Sequence, residues 1–266
     1  MDADILGVVE CMSPVELTFF VKECCPQYNG ILLNDDASKY NLGLLYKKEL
    51  FTIRKERINT DSWKARIGND TRIRKYYFAR QPLVVKVTHK ISDASMLLAV
   101  MHAKSKRPSD DLTGRDAYFN NLNNRQRIIA SGMRIRELLF KKIEAPNSSI
   151  DRFMIMGDIN DGPNFDEYER KVARSGVEAL LGSVLDPKHI LYSAVSLADG
   201  KGQASCSFQK GKFQLDHIVY TQNMQDSARP NVVKDSGKVR SDLVNVKRDG
   251  KTRDSDHAPI EVVVDF

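Results

Sequence analysis

Short runs of apolar, mostly β-branched or aliphatic residues recur along the whole chain and are separated by polar segments. Within each run the apolar character is continuous rather than alternating, which is typical of strands covered on both faces. These runs predict strands at residues 5–9, 42–46, 83–88, 96–101, 153–156, 215–220 and 260–264.

Three other segments have the pattern of helices. An apolar stripe that includes Ile128, Ile135 and Leu139 predicts a helix from residue 123 or 124 to about residue 143. Ser13 and Pro14 form an N-cap and first-turn pair for a helix that ends near residue 24. A third helix is predicted at residues 166–181. Because helices and strands are interleaved, we expect an α/β protein with packed sheets and outer helices.

Composition narrows the class of protein without fixing its function. The chain has 266 residues, of which 41% are hydrophobic, so it can bury a core and is not a disordered or collagen-like sequence. It contains no repeat or linker that separates domains, so residues 1–266 are predicted to form one domain. The net charge of +6 fits a polyanionic partner, although a basic solvated surface explains it equally well.

Cysteine spacing and hydropathy indicate where the protein resides. None of the four cysteines forms a Cys-x-x-Cys pair, so neither a disulfide framework nor a zinc site is expected, and a reducing compartment fits best. No apolar stretch approaches the roughly 18 residues of a membrane span. The chain starts without the features of a signal peptide, which favours the cytoplasm.

The segment 47–80 mixes many basic residues with aromatic ones. Cations beside aromatic rings suit nucleic acid, through phosphate pairing and base stacking, and Arg72 and Arg74 are candidate contacts. The alternative is an exposed basic hairpin whose aromatic side chains pack inward.

Polar residues lie at or near the ends of the predicted strands. They are Glu10, His102, Asp158, Asn160, Asp216, Asp256 and His257. Some follow a strand, Asp216 interrupts the strand at 215–220, and Asp256 and His257 precede the last strand. Residues at strand ends of layered α/β proteins converge on one crevice. Metal-assisted phosphoryl chemistry needs hard oxygen ligands, a base for water and donors to the phosphate, and these residue types supply all three. Each alone could be a turn or surface residue, but these seven residues at five strand ends indicate an active site.

Five motifs in this chain resemble, in order, those of the endonuclease/exonuclease/phosphatase superfamily, which includes DNase I and the exonuclease III type enzymes. They are Gly7 to Glu10, His102 to Lys106, Gly157 to Asp161, Leu215 to Ile218 and Ser255 to Pro259. The second and fourth are most similar to bacterial nuclease-type members. The resemblance implies a four-layer α/β/β/α sandwich of two packed mixed sheets flanked by helices.

The resemblance also implies a role for each polar residue. Glu10 matches the metal-binding glutamate, and Asp256 lies near the metal or reaches it through water. The implied cofactor is Mg²⁺, with Mn²⁺ as an alternative. Asp158 matches the aspartate that orients or deprotonates the attacking water, and Asn160 the amide that steadies it.

Three further residues match groups around the scissile phosphate. His257 matches the histidine that donates to the phosphate, and Asp216 the carboxylate that fixes the tautomer of that histidine. His102 matches a phosphate-binding histidine. All of these roles are expectations carried by the resemblance.

The start of the chain departs from the family pattern. Members begin with a strand that delivers an asparagine to the metal site, whereas only nine residues precede Glu10 here and none is Asn. We therefore expect the first strand to be absent from this sequence or replaced by another segment, which would leave neighbouring backbone groups unpaired.

The leading functional hypothesis is a nuclease that acts on DNA or RNA, with Lys104 and Lys106 as further nucleic-acid contacts. The first alternative is a small-molecule or lipid phosphoesterase, of the sphingomyelinase or inositol-phosphatase kind. Inositol phosphatases resemble one another in a Trp-Cys-Asp-Arg pattern, and the segment Gln214 to His217 departs from it. The second alternative is a catalytically weakened member that binds nucleic acid. The oligomeric state is not predicted.

Overall fold

The computed structural model describes residues 2–11, 13–33, 41–107, 111–163, 165–197, 204–208, 211–243, 247–248, 251–252 and 255–266. The helices are α1 (Pro14–Cys24), α2 (Gly114–Ile143), α3 (Glu167–Val172) and α4 (Gly176–Leu181). The strands are β1 (Ile5–Cys11), β2 (Tyr28–Leu32), β3 (Asn41–Lys47), β4 (Phe51–Lys55), β5 (Trp63–Ala65), β6 (Arg74–Tyr76), β7 (Leu83–His89), β8 (Ser95–His102), β9 (Phe153–Asp158), β10 (Leu191–Ser193), β11 (Cys206–Phe208), β12 (Gly211–Phe213), β13 (Asp216–Thr221), β14 (Asn231–Val232), β15 (Lys238–Val239), β16 (Lys247–Arg248), β17 (Lys251–Thr252), β18 (Ile260–Glu261) and β19 (Val264–Asp265).

Two sheets form the centre of the molecule. The larger has six strands in the order β10-β13-β9-β8-β7-β4, and the smaller has three in the order β1-β3-β2. In the larger sheet β8 and β9 run parallel, and every other neighbouring pair is antiparallel. The sheet is therefore mixed, and the ends of β8 and β9 lie side by side.

Alternate residues of the central strands pack into two different cores. Leu98 and Val100 of β8 face the smaller sheet and contact the cluster that contains Leu44 of β3. Leu97 and Ala99 face the other way and pack in the cluster that holds the apolar stripe of α2. This two-sided burial explains why the strand sequences are continuously apolar.

Helix α1 covers the outer face of the smaller sheet, where Leu17 packs with Tyr28, Leu32 and Leu45. The layers are therefore α1, the smaller sheet, the larger sheet, and α2 with α4. This arrangement confirms the predicted four-layer α/β/β/α sandwich.

Two predicted helices differ from the observed ones. Helix α2 begins at Gly114, about nine residues before the predicted start, because its first turns are polar or exposed and carry no apolar stripe. The predicted helix at 166–181 is broken into α3 and α4 at Ala173, whose φ of 56° is left-handed. Ser175 then caps α4 with a capping box, which restarts the helix.

Two other predictions also change. The predicted final strand at 260–264 is two short strands, β18 and β19, which pair with β15 and β14 respectively. In the basic segment 47–80, Tyr76 and Phe78 are buried and Trp63 packs against both. Tyr77 is the exposed ring, so most of the aromatic side chains in this segment pack inward.

Among the described residues no helix is long and apolar enough to cross a membrane.

Candidate active site

Strand register places three of the predicted residues in one row at the edge of the larger sheet. His102 at the end of β8 lies opposite Asp158 at the end of β9. Asp216, the first residue of β13, lies opposite Asp158 on the other side. Because β13 runs antiparallel to β9, its start meets the end of β9, and the three side chains share one edge.

The turn after β9 depends on backbone conformations that few residues adopt. Gly157 has a φ of 132°, and a Cβ at this position would collide with the carbonyl oxygen of Met101. Asn160 has a left-handed φ of 55°, which asparagine tolerates better than most residues. These two conformations bend the chain back over the end of the strand.

This turn brings Asn160 into contact with the carboxyl group of Asp158. The backbone N–H of Asn160 donates to one carboxylate oxygen at 2.7 Å, and its side-chain amide donates to the other at 2.8 Å. Burial, together with the negative charge of Asp216, raises the pKa of Asp158 to about 7. Asp158 is therefore poised to exchange a proton near neutral pH.

His257 reaches the row from the segment before β18. Its Nδ1 donates to the carboxylate of Asp216 at 2.7 Å, which leaves Nε2 to face outward from the pair. The hydrogen bond to Asp216 raises the pKa of His257 to about 9, although burial opposes this shift. His257 is accordingly a protonated donor at neutral pH.

His102 has the opposite electrostatic character. Its Nε2 lies 3.4 Å from Asp158 and 3.9 Å from Glu10, while its buried Nδ1 has no hydrogen-bond partner among the described residues. Burial and the positive charge of Arg80 lower the pKa of His102 to about 4. The ring is therefore neutral at pH 7.

The carboxylates of this group fit a hard divalent cation. Glu10 has a φ of 53° in the β-bulge between Val8 and Cys11, and its side chain is exposed above His102. Ligand atoms of Asp158, Asp216 and His257 lie within 4.8 Å of one another. Negative charge from Asp216 and Glu10 raises the pKa of Asp158, and a bound cation would offset this repulsion.

Asp256 precedes His257 and is exposed at the rim. Its negative charge contributes to the raised pKa of His257. The structure therefore brings together seven residues, which we call the strand-end group: Glu10, His102, Asp158, Asn160, Asp216, Asp256 and His257.

Lys106, expected to contact nucleic acid, lies in a buried ionic cluster instead. Its ammonium pairs with Asp161 and Glu169, whose side chains are almost completely buried. Burial alone would lower the pKa of Lys106, but the charges of these two carboxylates outweigh it and raise the pKa. Strand β8 ends at His102, so the two-residue spacing of Lys104 and Lys106 does not put their side chains on one face, as it would within a strand.

Asp161 connects this cluster to the turn that carries Asp158 and Asn160. Its carboxylate accepts from the backbone N–H groups of Gly162, Gly176 and Val177, and so caps α4. Its carbonyl oxygen accepts from Nε2 of buried His217 at 2.8 Å. The sequence motifs contained both residues but gave no reason to assign them a supporting role.

Lys104 lies on the other side of the motif, among cations. Burial lowers its pKa, and the positive charges of Arg127 and Arg80 lower it further. The guanidinium of Arg127 lies 4.7 Å from the ring centre of exposed Tyr77. The sequence gives no reason to group Arg80 and Arg127 with Lys104, because nothing in their local pattern distinguishes them from other surface cations.

Arg72 and Arg74 lie in a different place from the strand-end group. Both donate to Asp70, and they line a cavity of about 610 Å³ with Phe119 and Lys171. None of the strand-end residues lines this cavity. The contact of Arg72 and Arg74 with nucleic acid stays a prediction.

No family model and no curated protein matches this sequence. Solved structures do match it. A protein of the endonuclease/exonuclease/phosphatase family from Bacteroides thetaiotaomicron superposes with a TM-score of 0.54 at 16% identity, over 98% of this chain and 83% of its own.

This chain has the endonuclease/exonuclease/phosphatase fold. The same fold is found in a mannosyl-6-phosphatase of Bacteroides thetaiotaomicron VPI-5482, with a TM-score of 0.56 at 17% identity over 100% of this chain and 86% of that one. D. rerio TDP2 complexed with a single-strand DNA product matches with a TM-score of 0.54 at 14% identity, over 99% of this chain and 86% of that one. At these identities the comparisons show the fold, and the chemistry is argued from the residues.

Proposed function

We propose that this chain is a divalent-metal-dependent phosphodiesterase of the endonuclease/exonuclease/phosphatase family that hydrolyses nucleic acid. The observation that carries the proposal is the row of His102, Asp158 and Asp216 at one sheet edge, completed by Asn160 and His257. These side chains offer a base, a positioned amide and a charged donor within one crevice, which is the set that in-line hydrolysis of a phosphodiester needs.

Asp158 acts as the base in this mechanism. Its carboxylate accepts a proton from the attacking water while the water oxygen forms a bond to phosphorus. The bond from phosphorus to the leaving oxygen breaks on the opposite side, and that oxygen takes a proton from solvent. Asn160 holds both carboxylate oxygens through its N–H groups, so the base keeps its orientation during the transfer. A pKa of about 7 gives Asp158 the driving force that a carboxyl group of ordinary pKa lacks.

His257 and Asp216 stabilise the charge that develops on the phosphate. The protonated imidazole donates from Nε2 to a phosphate oxygen while Asp216 holds Nδ1, and each such donor contributes on the order of 3 kcal/mol to the transition state. Neutral His102 supplies a further donor or acceptor beside the phosphate.

Glu10 and Asp256 are the residues that would hold the metal ion, with Asp158 and Asp216 close by. A bound Mg²⁺ or Mn²⁺ supplies charge neutralisation of the phosphate oxygens.

Lys104, Arg80 and Arg127 support a nucleic acid as the substrate. The charged groups that perturb the pKa of Lys104 are both cations, so binding a phosphate beside it would relieve repulsion. Tyr77 offers an exposed ring beside Arg127 on which a base can stack. Arg80 lowers the pKa of both Lys104 and His102, so this cationic surface adjoins the strand-end residues, and a substrate with several phosphates would contact more of it than a phosphomonoester.

Degradation of DNA and RNA by the purified chain tests the proposal. We expect cleavage with Mg²⁺ or Mn²⁺, none with chelator, and loss of cleavage in Asp158→Ala and His257→Ala with an unchanged unfolding temperature. Full activity in both variants contradicts the mechanism. Tight binding of nucleic acid without cleavage, in the presence of metal, would favour a catalytically weakened member instead.

A second candidate is a sugar phosphatase, because a mannosyl-6-phosphatase shares the fold along the whole of this chain. Release of inorganic phosphate from mannose 6-phosphate, with nucleic acid left intact, would favour it. The same assay with sphingomyelin and inositol phosphates covers the other small-molecule and lipid substrates.

A further inference from the structure

Cys206 is a buried thiol at the rim of the proposed active site, and the mechanism above does not use it. Strand β11 carries Cys206 opposite His257 in an isolated antiparallel β-bridge. Ser205, next to Cys206, makes two hydrogen bonds that hold this bridge. Its carbonyl accepts from Ala258 N–H, and its hydroxyl accepts from Asp216 N–H at 2.9 Å. The position of the thiol relative to His257 is thus set by backbone pairing.

Three different ligand types meet at this place. The sulfur of Cys206, a carboxylate oxygen of Asp256 and a ring nitrogen of His257 all lie within 4.8 Å of one another. Around a tetrahedral zinc ion, bonds of about 2.0–2.3 Å put neighbouring ligand atoms about 3.5 Å apart. Side-chain movements on the order of 1 Å would therefore bring the three atoms into coordination.

The electrostatic surroundings also favour a cation. Asp256, Asp216 and Asp158 all place negative charge around the Cys206 thiol. The same three carboxylates attract a divalent ion. Thiolate and imidazole select zinc over magnesium, which takes hard oxygen ligands.

His257 already has the partner that zinc-binding histidines use. Its Nδ1 donates to Asp216 at 2.7 Å, which leaves Nε2 for the metal. A carboxylate on the far nitrogen of a ligating histidine fixes the ring and strengthens the metal bond.

We propose that Cys206, Asp256 and His257 form a zinc site that inhibits the enzyme. As zinc binds, the Cys206 thiol and Nε2 of protonated His257 each release a proton to water, Nδ1 keeps its proton and its hydrogen bond to Asp216, and no electron is transferred. A water or phosphate oxygen is the fourth ligand. Zinc on His257 removes the donor to the phosphate, so catalysis stops. The inhibitory part rests on the proposed function, whereas the metal site itself stands on the geometry alone.

The first test reads metal binding without any substrate. Co²⁺ is added to the full chain without Mg²⁺, because Asp256 is also a proposed Mg²⁺ ligand, and we expect the near-ultraviolet charge-transfer band of a cobalt thiolate. Cys206→Ser should lose the band, and the double variant Cys24→Ser/Cys25→Ser, which removes an exposed and a half-buried thiol outside the site, should keep it. Absence of the band in the unaltered chain, or its persistence in Cys206→Ser, overturns the site.

The second test measures inhibition of cleavage by Zn²⁺ at fixed Mg²⁺. Cys206→Ser should keep its activity with Mg²⁺ alone and should need about tenfold or more Zn²⁺ for half inhibition, because even indirect changes around a metal cost about 10–100-fold in affinity. Equal zinc sensitivity of both proteins overturns the inhibitory role. A band that depends on Cys206 in a chain that cleaves nothing would refute the proposed function and leave the zinc site standing.

Discussion

Two groups of charged side chains lie on either side of the turn after β9. In the strand-end group, Asp158 shares its surroundings with Asp216, and its pKa is raised to about 7. In the support group, formed by Lys106, Asp161 and Glu169, burial and the neighbouring Asp161 also raise the pKa of Glu169. A raised pKa therefore does not by itself distinguish a catalytic carboxyl group from a structural one.

The two groups differ in solvent exposure and in whether their hydrogen-bonding atoms have partners. Glu169 and Asp161 are closed to solvent, and their oxygens are occupied by Lys106 and by backbone N–H groups. In the strand-end group Glu10 is exposed, and Nδ1 of His102 has no partner among the described residues. Lys106, Asp161 and Glu169 are paired and buried, and they stabilise the turn. The strand-end group has carboxylates close together and includes exposed Glu10, so it is available for chemistry.

The largest difference between the two groups is expected when one carboxyl group in each is replaced by its amide. Asp158→Asn should lower the cleavage rate by about 10³-fold, or about 4 kcal/mol, because the base is lost. Its free energy of unfolding should change by about 1 kcal/mol or less, since removal of a buried like charge offsets the loss of one hydrogen bond from Asn160. Rates with Mg²⁺ and urea unfolding measure the two effects.

Glu169→Gln is the matched variant in the support group, and it should change the cleavage rate by only a few-fold. An equally large loss of activity in Glu169→Gln, with normal stability, would contradict the division into catalytic and support groups.

Removal of the central carboxylate of the support group should have its largest effect on stability. Asp161→Ala leaves Lys106 with one buried partner and leaves three backbone N–H groups without an acceptor, which costs about 3 kcal/mol. Denaturant unfolding measures this loss. Asp61→Ala, at an exposed position, should stay within about 0.5 kcal/mol of the unaltered chain.

The two lysines of the second motif give a finer contrast. Lys104→Ala should weaken binding of catalytically inactive protein to DNA and reduce the slope of log affinity against log salt by about 1. Lys106→Ala should leave that slope unchanged and lower the free energy of unfolding, because Asp161 and Glu169 lose their shared cation. A reduced slope in Lys106→Ala with normal stability would reverse the assignment.

His189 provides a paired but accessible case with the smallest expected effect. Hydrogen bonds to Asp186 and Glu144 raise its pKa above 6.5, so its contribution to stability is fully present below pH 6.5 and is lost as the pH rises through the raised value. His189→Gln should destabilise the chain at pH 5.5 by roughly 0.5 kcal/mol and have no effect at pH 9. Equal destabilisation at both pH values would show that packing against Phe140 matters instead.

Much of the fold was predictable because apolar runs report burial directly. The strands at 42–46, 83–88, 96–101 and 153–156 correspond to β3, β7, β8 and β9, and Ser13 with Pro14 marks the start of α1. The start of α2 was not predictable, since its first turns expose residues such as Phe119. The Ser175 capping box marks the restart at α4 locally, and Asp161, which is distant in sequence, adds an acceptor for the Gly176 N–H.

The sequence by itself determined the layered α/β fold and the identity of the polar residues at the strand ends, because strand periodicity and local motifs are encoded within a few consecutive positions. Only the tertiary structure decided which side chains become neighbours. His257 contacts Asp216, and Cys206 lies beside His257. Lys106 pairs with buried Asp161, whereas Lys104 lies among cations. These contacts join residues far apart along the chain. Their pKa values depend on burial and neighbouring charge, which only the folded arrangement creates.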